Sequence, residues 1–300
     1  MRNVPAMRNE LPSPALPTLP PRAASAHKGD FGRGLLIGGS FAMPGAIAMA
    51  GLAAATSGAG LVRLAVPSCI ANVVAGYSPC SMLLPLPFNE VSGTVETELD
   101  FISSALAKAD CVAIGPGLGR SESLDRLLPN ILRTANCPIV VDADGLNALG
   151  TIDALCDAIR PRQQPSRIVL TPHPGEWQRL SGVASTDREA QVEAAIEFAA
   201  RAAVVVLLKG QHTVVTDGES IAINRTGTPA MATGGSGDVL TGILTALICQ
   251  GLDIRDAAHL AAHVHGLAAE KAEQRLGYHV VLPTELIASL PGAFAQLAVD

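Results

Sequence analysis

From Gly34 onward, short runs of β-branched and leucine residues alternate with longer alanine-rich stretches, and each short run is nearly continuous in apolar side chains. The runs are Leu35–Ile37, Val62–Val66, Ser81–Leu84, Cys111–Ile114, Ile139–Val141, Ile168–Leu170 and Val204–Leu208. A strand apolar on both faces must be covered on both, which is how a parallel sheet between two helical layers reads. Helices are predicted at Gly45–Ser57, Glu96–Ala107, Ser121–Thr134, Gly175–Ser181, Thr186–Ala200, Val239–Cys249 and Asp256–Glu273. The alternation predicts an α/β three-layer sandwich, doubly wound around a mostly parallel central sheet. Thr213-Val214-Val215-Thr216, then Asp217-Gly218, then Ile221-Ala222-Ile223 is a hairpin signature, so the sheet is expected to turn antiparallel at its late edge.

A chain of 300 residues suits one large domain, read here as residues 27–300. Residues 1–26 differ, with prolines at 5, 12, 14, 17, 20 and 21, and form an arm expected to be disordered or draped over the surface. Its Arg2, Arg8 and Arg22 weakly resemble a transit peptide, but the prolines would interrupt the helix such a peptide needs. The net charge of −6, with scattered basic residues, argues against nucleic acid. Aromatics at 3% leave few stacking rings for single strands. Cys69, Cys80, Cys111, Cys137, Cys156 and Cys249 contain no Cys-x-x-Cys and read as reduced thiols of a cytoplasmic protein. No apolar run reaches the roughly 18–20 residues of a membrane span, and no secretory signal is visible.

In an open parallel sheet, ligands bind beyond the carboxyl ends of the strands. The residues there are Gly38-Gly39-Ser40, Gly115-Pro116-Gly117-Leu118-Gly119, Asp142-Ala143-Asp144-Gly145-Leu146-Asn147, Thr171-Pro172-His173-Pro174-Gly175-Glu176 and Lys209-Gly210-Gln211-His212-Thr213. All are expected to face one cleft. The segment Thr233-Gly234-Gly235-Ser236-Gly237-Asp238 precedes an apolar helix. Backbone N–H groups of Gly234, Gly235, Ser236 and Gly237, backed by the positive end of the helix dipole, make an anion hole. Asp238 can cap that helix or take a proton from a hydroxyl attacking a phosphoryl group; the glycines before it favour the second, and one residue can do both.

Other positions carry two readings each. Asp142 and Asp144 either cap the segment that follows or face the cleft, and Glu176 either opens a helix or binds. His173, between prolines, sits in a stiff loop rather than on an apolar helix face. Lys209 is read as a cation at a strand end in a phosphate cleft, ahead of a snorkelling lysine. His259, His263 and His265 share the late helix; with no Glu between the first two and no Cys nearby, they read as helix-face packing with solvent rather than as a metal site. No Gly-x-Ser-x-Gly elbow and no P-loop is present, which removes those hydrolases and P-loop kinases.

Taken together, His27–Gly34, Gly38–Ser40 with Pro44–Ala46, Gly115–Gly119, Val141–Asn147, Thr171–Glu176, Lys209–Thr213 and Met231–Gly242 resemble the ribokinase-like NAD(P)H-hydrate dehydratases over about residues 27–290. These enzymes repair hydrated nicotinamide cofactors at the expense of a nucleotide. The resemblance implies a ribokinase-like fold and dehydration of the S epimer of hydrated NADH or NADPH (NADHX, NADPHX), with ADP, or ATP in eukaryotic-type members, as co-substrate. It implies that Ala46, Gly117, Gly119, His173 and Asp238 contact the hydrated dinucleotide, and that Lys209, Gly210, Gln211, His212, Thr213 and Gly237 hold the adenine nucleotide. Mg²⁺ is expected on the nucleotide phosphates, steered through water by Asp142 or Glu176. The chain resembles the stand-alone dehydratase domain, without the companion epimerase, and a homo-oligomer, a tetramer, is implied. Thr228, Ala230 and Ser236 depart from the more usual Asn, Gly and Thr, and activity is expected to survive them. A vitamin-precursor kinase of the same superfamily would share Gly-Ser-Gly-Asp but not Thr171–Glu176 or Asp142–Asn147 in this form; a catalytically silent nucleotide sensor would not be expected to keep both Asp238 and Lys209.

Overall fold

The strands of the protein are β1 Arg33–Ile37, β2 Leu61–Pro67, β3 Met82–Leu86, β4 Phe88–Asn89, β5 Thr94–Val95, β6 Cys111–Ile114, β7 Ile139–Val141, β8 Ile168–Leu170, β9 Val205–Leu208, β10 Val214–Thr216 and β11 Ile221–Ile223. The structure, a computed structural model, describes residues 11–89, 94–97, 99–160, 167–277 and 279–297. Nine strands form one sheet in the order β11-β10-β9-β8-β7-β6-β1-β2-β3. Every pairing from β3 across to β9 is parallel, and β10 is antiparallel to both β9 and β11, as the hairpin signature predicts.

The continuous apolar runs have a simple cause. Along β1, Leu36 enters one core with Ile47 and Ile243, while Leu35 and Ile37 enter the other with Ile102 and Leu124. Beyond the exposed Arg33 at its start, both faces of the strand are therefore dry. Helices Pro44–Thr56, Ser236–Cys249, Ile254–Leu276 and Pro283–Leu297 cover the first face; helices Leu99–Leu106, Glu122–Thr134, Ala143–Leu149, Ile152–Ile159, Pro174–Ser181 and Arg188–Ala202 cover the second. Helix Glu122–Thr134 buries Leu124, Leu127, Leu128, Ile131 and Leu132, a stripe at the helical period, and Ser121 caps it by accepting from the Leu124 N–H.

On the first face the core is built from small residues, so helices approach closely. A Cβ on Gly242 would stand 2.2 Å from the Ala50 carbonyl oxygen, with Ala53 also in contact. Gly242→Ala is accordingly expected to cost about 1–3 kcal/mol, measured by urea unfolding.

Helices Ala71–Tyr77, Ile152–Ile159 and Pro283–Leu297 and the β4–β5 pair are not among the predicted elements. Pro291 argues against a helix that tertiary packing nevertheless carries through it, and Ala71–Tyr77 buries only Val74, too little for a periodic signal. Of the arm, residues 11–26 are described and lie against the domain; residues 1–10 fall outside the described part. Leu11, Leu16 and Leu19 pack on the cores. Arg22 lies over the Phe31 ring at 3.7 Å and donates to the Gly58 carbonyl at 2.7 Å. Among the described residues no helix is long and apolar enough to cross a membrane.

The chain runs β1-β2-β3 to one side, returns to place β6 against the other side of β1, and continues outward to β11. The strand order thus reverses between β1 and β6, and a crevice is expected beyond their carboxyl ends.

Candidate active site

At that reversal the two loops are tied together. Gly39 N–H, after β1, donates to the Pro116 carbonyl, after β6, at 2.8 Å. Ala46, in the first turn of helix Pro44–Thr56, faces Gly117 so closely that a Cβ on Gly117 would lie 2.7 Å from its own. Gly119 N–H donates to Asp144 Oδ2 at 2.9 Å, and Asn147 Nδ2 donates to Asp144 Oδ1 at 3.1 Å. Asp144 therefore anchors the Gly115–Gly119 loop.

Beyond β8, the prolines of Thr171–Glu176 lead into a reciprocal cap. His173 Nδ1 accepts from Gly175 and Glu176 N–H at 3.0 and 3.2 Å, while Glu176 Oε2 accepts from His173 N–H at 2.8 Å. A ring nitrogen that accepts twice carries no hydrogen, which leaves Nε2 as the ring's N–H, 3.4 Å from Glu176 Oε1. Glu176 is buried, and burial raises its pKa against the opposing pull of Lys209 and of the His173 N–H bond.

The centre of the site is a buried ion pair. Lys209 Nζ donates to Asp142 Oδ1 at 2.6 Å, and Thr241 Oγ1 donates to Asp142 Oδ2 at 2.6 Å; Asp142 is 1% exposed. Both carboxylate oxygens are thus occupied from inside the protein. Lys209 does not snorkel: its ammonium stands beside Gly237, 3.2 Å from where a Cβ would be. Arg188, which the sequence reading passes over, grips the next turn by donating to the Leu208, Lys209 and His212 carbonyls. His212 in that turn and Ala143 after Asp142 are non-glycine residues with positive φ, at 55° and 47°, local strain held by these contacts.

Helix Ser236–Cys249 begins after Gly235, whose φ of 96° aims the preceding loop back over the helix end, a conformation that favours glycine. Asp238 sits in the first turn, and its carboxylate makes no hydrogen bond among the described residues. Its pKa is raised to about 7, first by burial and then by the Asp142 carboxylate, with Lys209 opposing. A free carboxylate poised near neutrality at a helix N-terminus suits proton transfer better than capping.

A cavity of about 700 Å³ opens beside it. It gathers Lys209, Gly210, Gln211, His212, Thr213, Ser236 and Gly237; Ala46, Gly117, Gly119 and His173 lie outside its lining. Asn224–Pro229 close another wall. There Thr228 Oγ1 accepts from Ala230 N–H at 3.2 Å and caps the turn Pro229–Met231, and the buried Ala230 accepts from Val281 N–H. These two departures thus form a self-consistent local structure. A larger cavity of about 1090 Å³ lies at the amino ends of the strands, around Asp110, Pro138, Arg167 and Arg255, and contains none of the predicted site residues.

His265, read from sequence as a solvent-facing packing residue, is instead buried with its ring against Ser236. Nothing in the spacing of one helix reveals what lies opposite it. Among the described residues no group of three or more His, Cys, Asp or Glu could hold a metal ion.

The sequence matches the family described as NAD(P)H-hydrate dehydratase over residues 34–292. It is 42% identical over 282 residues to a bifunctional NAD(P)H-hydrate repair enzyme Nnr of Moorella thermoacetica, covering 93% of this chain and 52% of that protein. It is 34% identical to the ADP-dependent (S)-NAD(P)H-hydrate dehydratase of Bacillus subtilis, covering 91% and 93%. The chain spans about half the length of the bifunctional relatives it matches. Ribokinase-like solved structures share its fold, among them an ADP/ATP-dependent NAD(P)H-hydrate dehydratase from Bacillus subtilis co-crystallised with ATP and Mg²⁺: TM-score 0.77, 33% identity, 93% of this chain and 95% of that one.

Proposed function

Because the chain belongs to the NAD(P)H-hydrate dehydratase family, we propose that its cleft uses a nucleotide, ADP ahead of ATP, to dehydrate the S epimer of hydrated NADH or NADPH. The reduced cofactor is restored, and AMP and phosphate leave. The observation that carries the reading is Asp238, unpaired and poised near pH 7 between the anion hole and the Lys209–Asp142 pair.

Hydroxide is a poor leaving group, so the ring hydroxyl is first phosphorylated. Asp238 takes the hydroxyl proton as that oxygen attacks the terminal phosphorus of the nucleotide and the bond to AMP breaks. The amides of Gly234, Gly235 and Gly237 and the Lys209 ammonium stabilise charge on the transferring group, whereas the Ser236 N–H, expected from the sequence to join them, donates instead to the Thr233 carbonyl at 3.3 Å. Phosphate then departs from the ring carbon as the ring nitrogen donates its electron pair, and the neighbouring ring carbon gives up a proton to the departing phosphate or to water, so that the ring double bond re-forms and conjugation returns. Lys209, Gly210, Gln211, His212, Thr213 and Gly237 hold the nucleotide in the cavity, and Ala46, Gly117 and Gly119 at the strand reversal, with His173 beyond β8, hold the hydrated dinucleotide.

Mg²⁺ would neutralise the nucleotide phosphates. Asp142 has both oxygens engaged and Glu176 is turned back on His173, so the described residues offer no direct ligand set for the ion. The enzyme is proposed to work in the cytoplasm as a homo-oligomer; Val73, Tyr77 and Met82, exposed near the β3 edge, support self-association, which light scattering would test.

Incubating the protein with hydrated NADH or NADPH and either nucleotide should restore absorbance of the reduced nicotinamide. No recovery with ADP or ATP would overturn the reading. Since Asp238 must be ionised to accept a proton, the rate should rise with pH around a midpoint near about 7. A profile flat from about pH 5 to 9 would remove Asp238 as the base.

A further inference from the structure

The buried histidine beneath the anion hole has no part in the reaction just described, yet it touches the residue that opens the catalytic helix. His265, 8% exposed on helix Ile254–Leu276, places Nε2 2.9 Å from the Ser236 carbonyl oxygen and 3.1 Å from Ser236 Oγ. A carbonyl only accepts, so Nε2 carries the proton and donates. Burial, with Lys209 adding to it, lowers the ring's pKa to about 4, which keeps the ring neutral and its single Nε2–H in place.

That N–H is shared between the carbonyl and the hydroxyl oxygen of Ser236. A hydroxyl that accepts from below keeps its own hydrogen for a partner on another side. Ser236 lines the 700 Å³ cavity beside Gly237 and Lys209, where the nucleotide phosphates are placed above.

Resting on the nucleotide reading of that cavity, we propose that His265 is a positioning residue that fixes Ser236 so that its hydroxyl donates to the terminal phosphate of the bound nucleotide. The anion hole then contains a side-chain donor in addition to its amides. It also gives a reason for a hydroxyl residue at 236: the contact uses Oγ alone, which the Ser in place of Thr retains.

The role differs measurably from helix packing, because AMP lacks the phosphate in question. Binding of AMP and of ADP to the full chain is measured by calorimetry for wild type, Ser236→Ala, His265→Leu, His265→Gln and the Ser236→Ala/His265→Leu pair. Ser236→Ala and His265→Leu should weaken ADP about tenfold and leave AMP within about twofold. The double variant should be no worse than either single one. His265→Gln, whose amide N–H reaches toward the same oxygens, should retain most of the affinity. In turnover, the two losses should lower kcat by up to about 100-fold with the KM for the hydrate unchanged.

Equal weakening of AMP and ADP, additive losses, or no loss would overturn the proposal in favour of packing. Should His265→Leu fail to fold, Ser236→Ala and His265→Gln decide alone by the same ADP-to-AMP comparison. If wild type binds ADP but restores no reduced cofactor, the dehydration reading fails while the comparison still judges the pair; wild type that binds neither nucleotide overturns both.

Discussion

Asp238→Asn should lower turnover by about 10²–10⁴-fold and at the same time make the folded protein more stable at neutral pH. Both effects come from one carboxyl group whose pKa is raised from 3.8 to about 7 by burial and by Asp142. Below about pH 4 the group is protonated folded and unfolded alike, and the substitution changes stability little. From there to about pH 7 the unfolded chain gives up a proton that the folded chain keeps, so wild-type stability falls as pH rises. Above about pH 7 the deficit is constant, and the Asn variant escapes it throughout. Unfolding midpoints at several pH values test the stability arm, and single-turnover rates test the chemical arm, with ligand affinities expected to be nearly intact. A variant that keeps near-normal turnover refutes the base assignment; one that loses turnover without gaining stability refutes the environment described for the carboxylate.

Lys209→Met should remove nucleotide binding and destabilise the fold by about 3–5 kcal/mol. Asp142 is 1% exposed, and losing the ammonium at 2.6 Å leaves its carboxylate buried with Thr241 as the remaining partner. Adding Asp142→Asn removes the stranded charge and should recover most of the stability, while nucleotide affinity stays low because the cation beside Gly237 is still missing. Urea unfolding and ADP calorimetry on the single and double variants separate the two outcomes. A cost below about 1 kcal/mol for the single substitution would mean that the pair is no tighter than a surface contact.

Much of the fold is legible because its rules are local. β1 is apolar from Leu35 to Ile37 since its side chains enter two cores in turn, and Asp217-Gly218 marks the hairpin wherever the hairpin sits. The strand ends are legible for the same reason, although of their loops only Lys209–Thr213 lines the 700 Å³ cavity, with Gly117, Gly119 and His173 outside it. What joins them is not local. Asp142 meets Lys209 67 residues away and Thr241 99 residues away, and no pattern in either neighbourhood specifies the other. Arg188 looks like any helix-start arginine until its three carbonyl acceptors are seen. His265 shares a helix with His259 and His263, yet its partner lies on another helix, so intrahelical spacing was the wrong ruler.

The proline-rich arm has a consequence for how the sheet ends. β11 is a border strand, and its outward N–H and C=O groups would template any extended chain that met them. Ile221 N–H donates instead to the Pro12 carbonyl at 3.1 Å. A segment with prolines at 12, 14 and 17 is missing the N–H at each of those positions and so offers a further strand an interrupted row of donors. The arm meets the border at Ile221 without extending the sheet, so one outward N–H of β11 is already taken within the molecule.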